Sequence, residues 1–283
     1  MTKFISVITW IALALLCVPS LAQEDSASNW LSKGDDLLEQ ALNITQNRTD
    51  KEFVLQEALK SYDRALHSDP LSASGWYKKG KVLVERARFE EGLPCFNKSL
   101  EINPRNADAW YLKGIILTVM GRYEEAINAY NESVVLNPHL VDACYMMGGT
   151  FAELGRFEEA VRCYDAAIEI DPLLSKAWLE KSSVLKALNR RDESNNTLHK
   201  AIELYDDALK LNSNDTSALF GKGAALYSQG NYDTSLQYFD RASEVSPKNY
   251  RPWYYKGLSL KALDRKSEAE VAFTKAKELG SPF

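Results

Sequence analysis

Between residues 107 and 140 the apolar and polar positions follow two short helical periods separated by a turn and closed by a proline. Trp110, Gly114 and Leu117 recur at three- and four-residue steps on the first stretch, and Ala126, Tyr130 and Ser133 do so on the second. The same figure returns along the chain. Trp76, Trp110, Cys144 and Trp178 stand 34 residues apart, Leu219 and Trp253 keep that spacing, and Pro70, Pro104, Pro138 and Pro172 step with it. A helix-turn-helix period of this length predicts stacked units, each burying its apolar face only against its neighbours.

Alignment on this figure gives seven units: 27–72, 73–106, 107–140, 141–174, 175–215, 216–249 and 250–283. The fourth place holds Trp30, Trp76, Trp110, Cys144, Trp178, Leu219 and Trp253. The eighth is small, as Gly34, Gly80, Gly114, Gly148, Ser182, Gly223 and Gly257, which lets the second helix approach. Tyr62, Phe96, Tyr130, Tyr164, Tyr205, Phe239 and Phe273 are expected to fill the space between the two helices. Gly121, Gly155 and Gly230 fall where the first helix must end, in a left-handed position that glycine adopts freely. Asp69-Pro70, Asn103-Pro104, Asn137-Pro138, Asp171-Pro172 and Ser246-Pro247 stop the second helix. Pro94 lies near the start of a second helix, where a local bend is the most it should cause.

Two units exceed the period. Trp30 to Trp76 spans 46 residues, the surplus including polar 43–50, and Trp178 to Leu219 spans 41, with seven extra residues within 192–200. Seven residues make about two helical turns, so the fifth unit's second helix should lengthen, keep its face and project from the edge. The last unit carries Glu270 and Lys277 where earlier units carry aliphatics such as Val161 and Ile168, the wettable face of a terminal repeat, and the array is expected to end natively there.

Large residue, small residue, alanine, aromatic and closing proline in seven registered copies resemble the tetratricopeptide repeat family across nearly all of 27–279. The resemblance implies an all-α, right-handed α-solenoid whose first helices line a groove for a peptide or protein segment. It places the second, fifth, ninth, twelfth and thirteenth residues of each unit in that groove. The fifth places read Leu31, Tyr77, Tyr111, Tyr145, Leu179, Phe220 and Tyr254. Asp35, Glu39, Glu85, Asp108, Asp142 and Glu153 make the front half acidic, and Lys176, Lys186, Arg251 and Lys261 make the rear more basic. Tyrosine suits such a surface, offering apolar area and a hydroxyl at low entropic cost. The alternative is that these rings pack on neighbouring helices and only coat the wall. The family's carboxylate clamp, lysine at the fifth place and asparagine at the ninth, is absent: those places hold Tyr77 and Lys81, then Tyr111 and Ile115. The seventh place departs from the family's leucine as Lys33, Lys79, Lys113, Lys181, Lys222 and Lys256, read as snorkelling stems.

Residues 1–22 stand apart. Lys3, the apolar run 4–18, Pro19 and Ser20-Leu21-Ala22 predict a cleaved secretory signal and a secreted or extracytoplasmic protein without membrane insertion after cleavage, an uncleaved anchor being the alternative. Asn43, Asn47, Asn97, Asn131, Asn195 and Asn214 head Asn-x-Ser/Thr sites open to glycosylation, although Asn97 and Asn131 also read as one motif copied by the repeat. Cys95, Cys144 and Cys163 follow the signal as an odd set, so free thiols and no metal site are expected.

A formal charge of -5 without a basic stripe excludes nucleic acid as an expected partner. Glu90-Glu91, Glu124-Glu125 and Glu158-Glu159 open second helices, where carboxylates meet the positive end of the helix dipole and need no catalytic role. His67, His139 and His199 fall in three non-adjacent units and cannot converge. No phosphate loop, nucleophile elbow or metalloprotease motif occurs, so neither enzyme nor cofactor is expected. The sequence thus predicts an exported interaction scaffold, or alternatively a structural spacer or assembly element of the cell envelope acting through its edges.

Overall fold

The computed structural model describes residues 26–44 and 47–282, so the predicted signal segment 1–22 lies outside the described residues. Fourteen helices and no strands form among the described residues, in two compact units, Met1–Pro138 and His139–Phe283. The first unit holds α1 (Ala27–Asn43), α2 (Arg48–Ser68), α3 (Ala73–Glu85), α4 (Phe89–Ile102), α5 (Ala107–Val119) and α6 (Tyr123–Leu136). The second holds α7 (Val141–Glu153), α8 (Phe157–Ile170), α9 (Ser175–Ala187), α10 (Arg191–Leu211), α11 (Thr216–Ser228), α12 (Tyr232–Val245), α13 (Tyr250–Ala262) and α14 (Lys266–Glu278). Within each unit a helix packs on its antiparallel partner and on the next pair.

The two helices of a pair start differently. First helices take side-chain caps where the residue permits: Ser72, Asn106, Asp215 and Asn249 each accept from a first-turn N–H. After α2, where Asn47 accepts from the Thr49 and Asp50 N–H groups, second helices have no such cap. There the arginine before the helix forks onto a glutamate three residues on, as in Arg88–Glu91, Arg122–Glu125, Arg190–Glu193 and Arg265–Glu268 at 2.5–2.7 Å. This accounts for one member of each Glu-Glu pair without chemistry.

Every pair but the fifth closes on an aromatic seated over a glycine. A Cβ on Gly114 would stand 2.5 Å from the Tyr130 ring, and one on Gly148 2.8 Å from Tyr164. Tyr62, Phe96, Tyr130 and Phe239 are fully buried, each contributing on the order of 2–3 kcal/mol of apolar transfer. The closing proline has a second use: its carbonyl accepts the indole N–H six residues on, from Trp76, Trp110 and Trp178 at 2.9–3.0 Å.

Several expectations are revised. Tyr205 does not fill its own pair. It lies over Gly221 of the next, where a Cβ would meet its ring carbon at 2.3 Å, while Leu198 holds the place 34 residues after Tyr164. The left-handed turn position is occupied by Gly121, Gly155 and Gly230, but equally by Ala87, Asn189 and Asp264 at φ 54, 60 and 59°. The seventh-place lysines do not simply reach for water. Lys79, Lys181 and Lys256 pair with Asp63, Asp165 and Asp240 of the preceding helix pair at 2.5–2.7 Å while lying over Trp76, Trp178 and Trp253. The surplus in the first unit is mostly helix: α1 has 17 residues and α2 has 21, against 13 and 14 in the next pair. Pro94 sits inside α4, which runs unbroken around it.

Candidate functional site

In each unit the fifth-place residues lie on that unit's first helices, and each aromatic among them leans on a ring of its own pair. Tyr77 meets Phe96 edge-on with centroids 6.0 Å apart, and Tyr111 meets Tyr130 at 6.2 Å. In the second unit Tyr145 meets Tyr164, Phe220 meets Phe239 and Tyr254 meets Phe273 at 5.7–5.9 Å. The wall-coating alternative is thus half true, because one edge of every ring is packed. All five remain only partly buried, although Phe220 is also met edge-on by Tyr255 at 5.2 Å and Tyr254 by Tyr255 at 5.9 Å.

The charged residues named from sequence do not all join them. In the first unit Glu85 turns to Lys51 of α2 at 3.6 Å. Asp108 is exposed; burial, aided by the Asp108 charge, raises the Tyr77 phenol to about 12. Asp35 accepts from the Tyr62 hydroxyl at 2.8 Å and also binds Lys78, so the predicted acidic front is partly neutralised.

In the second unit Lys176 lies over the Tyr145 ring at 4.4 Å and reaches Asp142 at 3.3 Å. Lys186 points elsewhere, donating to the Ser228 carbonyl at 3.0 Å.

Tyr145, Lys176, Leu179, Tyr205, Phe220 and Arg251 border a cavity of about 410 Å3 in the second unit. Arg251 stacks on Phe220 at 4.6 Å. Opposite in sign is Glu180, whose carboxyl keeps a solvent-facing edge although surrounding protein raises its pKa and Arg251 pulls it back. The cavity therefore offers ring faces flanked by both charges. Glu180 was missed because it holds the sixth place, outside the groove set. The signal available was Gly221, a glycine at a sixth place, which marks where the Tyr205 ring seats.

The sequons divide. Asn43, Asn47, Asn131, Asn195 and Asn214 are exposed, whereas Asn97 is partly buried. Ser99 and Ser133, the hydroxyl residues of the Asn97 and Asn131 sites, are wholly buried and donate to the Ala73 and Ala107 carbonyls at 2.8 and 2.9 Å. Those serines are packing residues, which accounts for the copied motif. Cys95, Cys144 and Cys163 are free and buried, and burial, aided by Cys144, raises the Cys163 thiol to about 12.

Profiles described as tetratricopeptide repeat match residues 73–106, 107–140, 141–172, 190–250 and 225–281. The chain belongs to the tetratricopeptide repeat family. Its fold is that of an all-α repeat solenoid. Among solved structures it is similar to a tetratricopeptide repeat protein from Parabacteroides merdae, with TM-score 0.65, 17% identity and coverage of 89% of this chain and 94% of that one. MamA protein is similar with TM-score 0.58 and 22% identity over 67% of this chain and 97% of the other. At these identities the likeness is one of fold.

Among curated proteins, protein O-mannosyl-transferase TMTC3 of Mus musculus and of Homo sapiens is 34% identical over 76 residues, 27% of this chain and 8% of theirs. The stretch shared with those enzymes is thus a small part of their length. Tetratricopeptide repeats are interaction scaffolds, and that is the class of function the fold places here.

Proposed function

We propose that this tetratricopeptide repeat chain is an exported, non-enzymatic scaffold that holds an extended peptide or protein segment against its first-helix aromatic face. One observation carries the reading: Tyr77, Tyr111, Tyr145, Phe220 and Tyr254 are each braced by a ring behind them yet keep part of their surface exposed. A side chain already held by packing loses little freedom when a ligand covers it, so more of the contact energy appears as affinity. The cavity around Tyr145 and Phe220, with Lys176, Arg251 and Glu180 at its margin, supplies the pocket into which one ligand side chain is anchored.

Export is supported by the charged start, apolar run and small-x-small end of residues 1–22. Cleavage leaves Gln23 first, which N-terminal sequencing reads.

The groove is tested by panning a displayed random-peptide library against residues 23–283 and against a variant with Tyr77→Ala, Tyr111→Ala and Tyr145→Ala. The parent chain enriches related peptides whose capture drops at least about tenfold in the variant, while the circular dichroism of both is the same. Failure to enrich, or equal capture by both, assigns the function to the edges and favours the envelope spacer.

A further inference from the structure

Seven extra residues in α10 displace the helix pair that follows it. Between neighbouring pairs an ion pair runs from the residue after the second-helix aromatic to the seventh-place lysine, as in Asp165–Lys181 and Asp240–Lys256. On α10 the acid that meets Lys222 is Asp206, seven residues beyond the place set by the period. The next pair therefore docks about 10 Å further along α10. α9 keeps the ordinary register, with the Ser194 hydroxyl donating to the Ser182 carbonyl at 2.7 Å. The first two turns of α10 and the end of α9 are left as a ledge, closed at one corner by the end of α11.

The ledge borders an open depression of about 520 Å3, within the size range of small-molecule sites, whose Lys186, Asn189, Arg191, Asn195 and Gln229 are exposed. Its chemistry departs from the repeat. Where other pairs carry an aromatic and then an aliphatic, Phe89 and Leu93, Tyr123 and Ile127, Phe157 and Val161, Tyr232 and Leu236, α10 carries Arg191 and Asn195. Lys186, Asn189 and Gln229 complete the rim, and no carboxylate lines it. Glu193, in the same turn as Arg191, is held away by Arg190 at 2.6 Å.

Wetting alone does not explain this composition. The chain carries 39 acidic against 34 basic residues, and the same two places on α14 hold Lys266 and Glu270, one of each sign. The other overhang, in the first helix pair, is sealed by the protein itself: Arg86 binds Glu52 at 2.5 Å and Gln56 at 2.7 Å, and Lys51 meets Glu85. At the fifth pair's overhang, Gln229 and Ser228 of the sixth pair stand at the places of Arg86 and Glu85, and Lys186 spans the gap to the Ser228 carbonyl.

We infer that the ledge binds a small, hydroxyl-rich molecule bearing a phosphate or sulfate monoester. The Lys186 ammonium and the Arg191 guanidinium hold the oxyanion, the guanidinium as a two-toothed fork. The side-chain amides of Asn189, Asn195 and Gln229 meet the hydroxyls, as amides can both donate and accept. This site is independent of the peptide face.

The test is calorimetric titration of the full chain with glucose 6-phosphate, glucose and inorganic phosphate in separate runs. Glucose 6-phosphate binds one saturable site at least about tenfold more tightly than inorganic phosphate, and glucose gives no heat. Arg191→Phe, which restores the aromatic of the other pairs, and Lys186→Gln, which keeps a donor for Ser228, each weaken binding at least about tenfold with helicity unchanged. Absence of saturable heat with the ester overturns the inference, as does affinity unchanged in both variants. Glucose binding as tightly as its phosphate refutes the role of the cations, and phosphate binding as tightly as the ester refutes the role of the amides.

Discussion

Gly114 and Gly149 both lie inside first helices, where intrinsic propensity alone favours alanine by about 1 kcal/mol. Their surroundings set opposite signs. A Cβ at residue 114 would stand 2.5 Å from the buried Tyr130 ring, while at residue 149 the nearest atom is the Tyr164 hydroxyl at 3.7 Å, an ordinary contact. Gly114→Ala should therefore cost about 1–3 kcal/mol through overpacking, and Gly149→Ala should gain up to about 1 kcal/mol. Urea unfolding of the two variants checks this, and equal shifts would show that ring placement does not set the cost. The small eighth place was legible as a spacing requirement in the sequence. Which ring it admits was legible in six units, the stretched first included, where Tyr62 seats over Gly34; Tyr205 shows the exception.

The length of α10 is a matter of register. Seven residues turn a helix by about 700°, close to two full turns, so a heptad can be added without rotating the buried face. Deleting Asn195 to Ala201 would bring Ile202 and Tyr205 to the places that Val161 and Tyr164 hold in the preceding pair. That variant should stay helical and cooperative, losing no more than about 2 kcal/mol. Deleting Asn195 to His199 instead leaves about 140° of error, turns apolar residues to solvent and should cost well over 4 kcal/mol. Thermal melts followed by circular dichroism separate the two. The sequence shows the surplus and its helical phase. It does not show that the next pair follows the far end of α10, because docking is decided between helices by contacts such as Asp206–Lys222.

Across the molecule, contacts within each unit join a helix to its partner and to the adjacent pair, and no helix among the described residues is long and apolar enough to cross a membrane. Stability in such an array is a sum of local terms, so damage spreads by neighbourhood rather than everywhere at once. Trp110→Ala removes a large ring and the hydrogen bond to the Pro104 carbonyl, and should cost roughly 3–5 kcal/mol. Hydrogen exchange should then quicken across 73–136 while amides of α11 to α14 keep their protection. Uniform loss of protection would mean a single cooperative core instead.

Seven copies of one figure, five of them 34 residues long, determine the helix pairs, their turns and their family, because spacing, small places and closing prolines are local chemistry written once and copied. What a given side chain faces is not local. Glu85 turning to Lys51, Lys186 crossing to Ser228, and Tyr205 passing to Gly221 each depend on where the neighbouring pair docks. That docking is set by the summed packing of two surfaces, so only the tertiary structure decides which residues line a cavity and which are spent on one another.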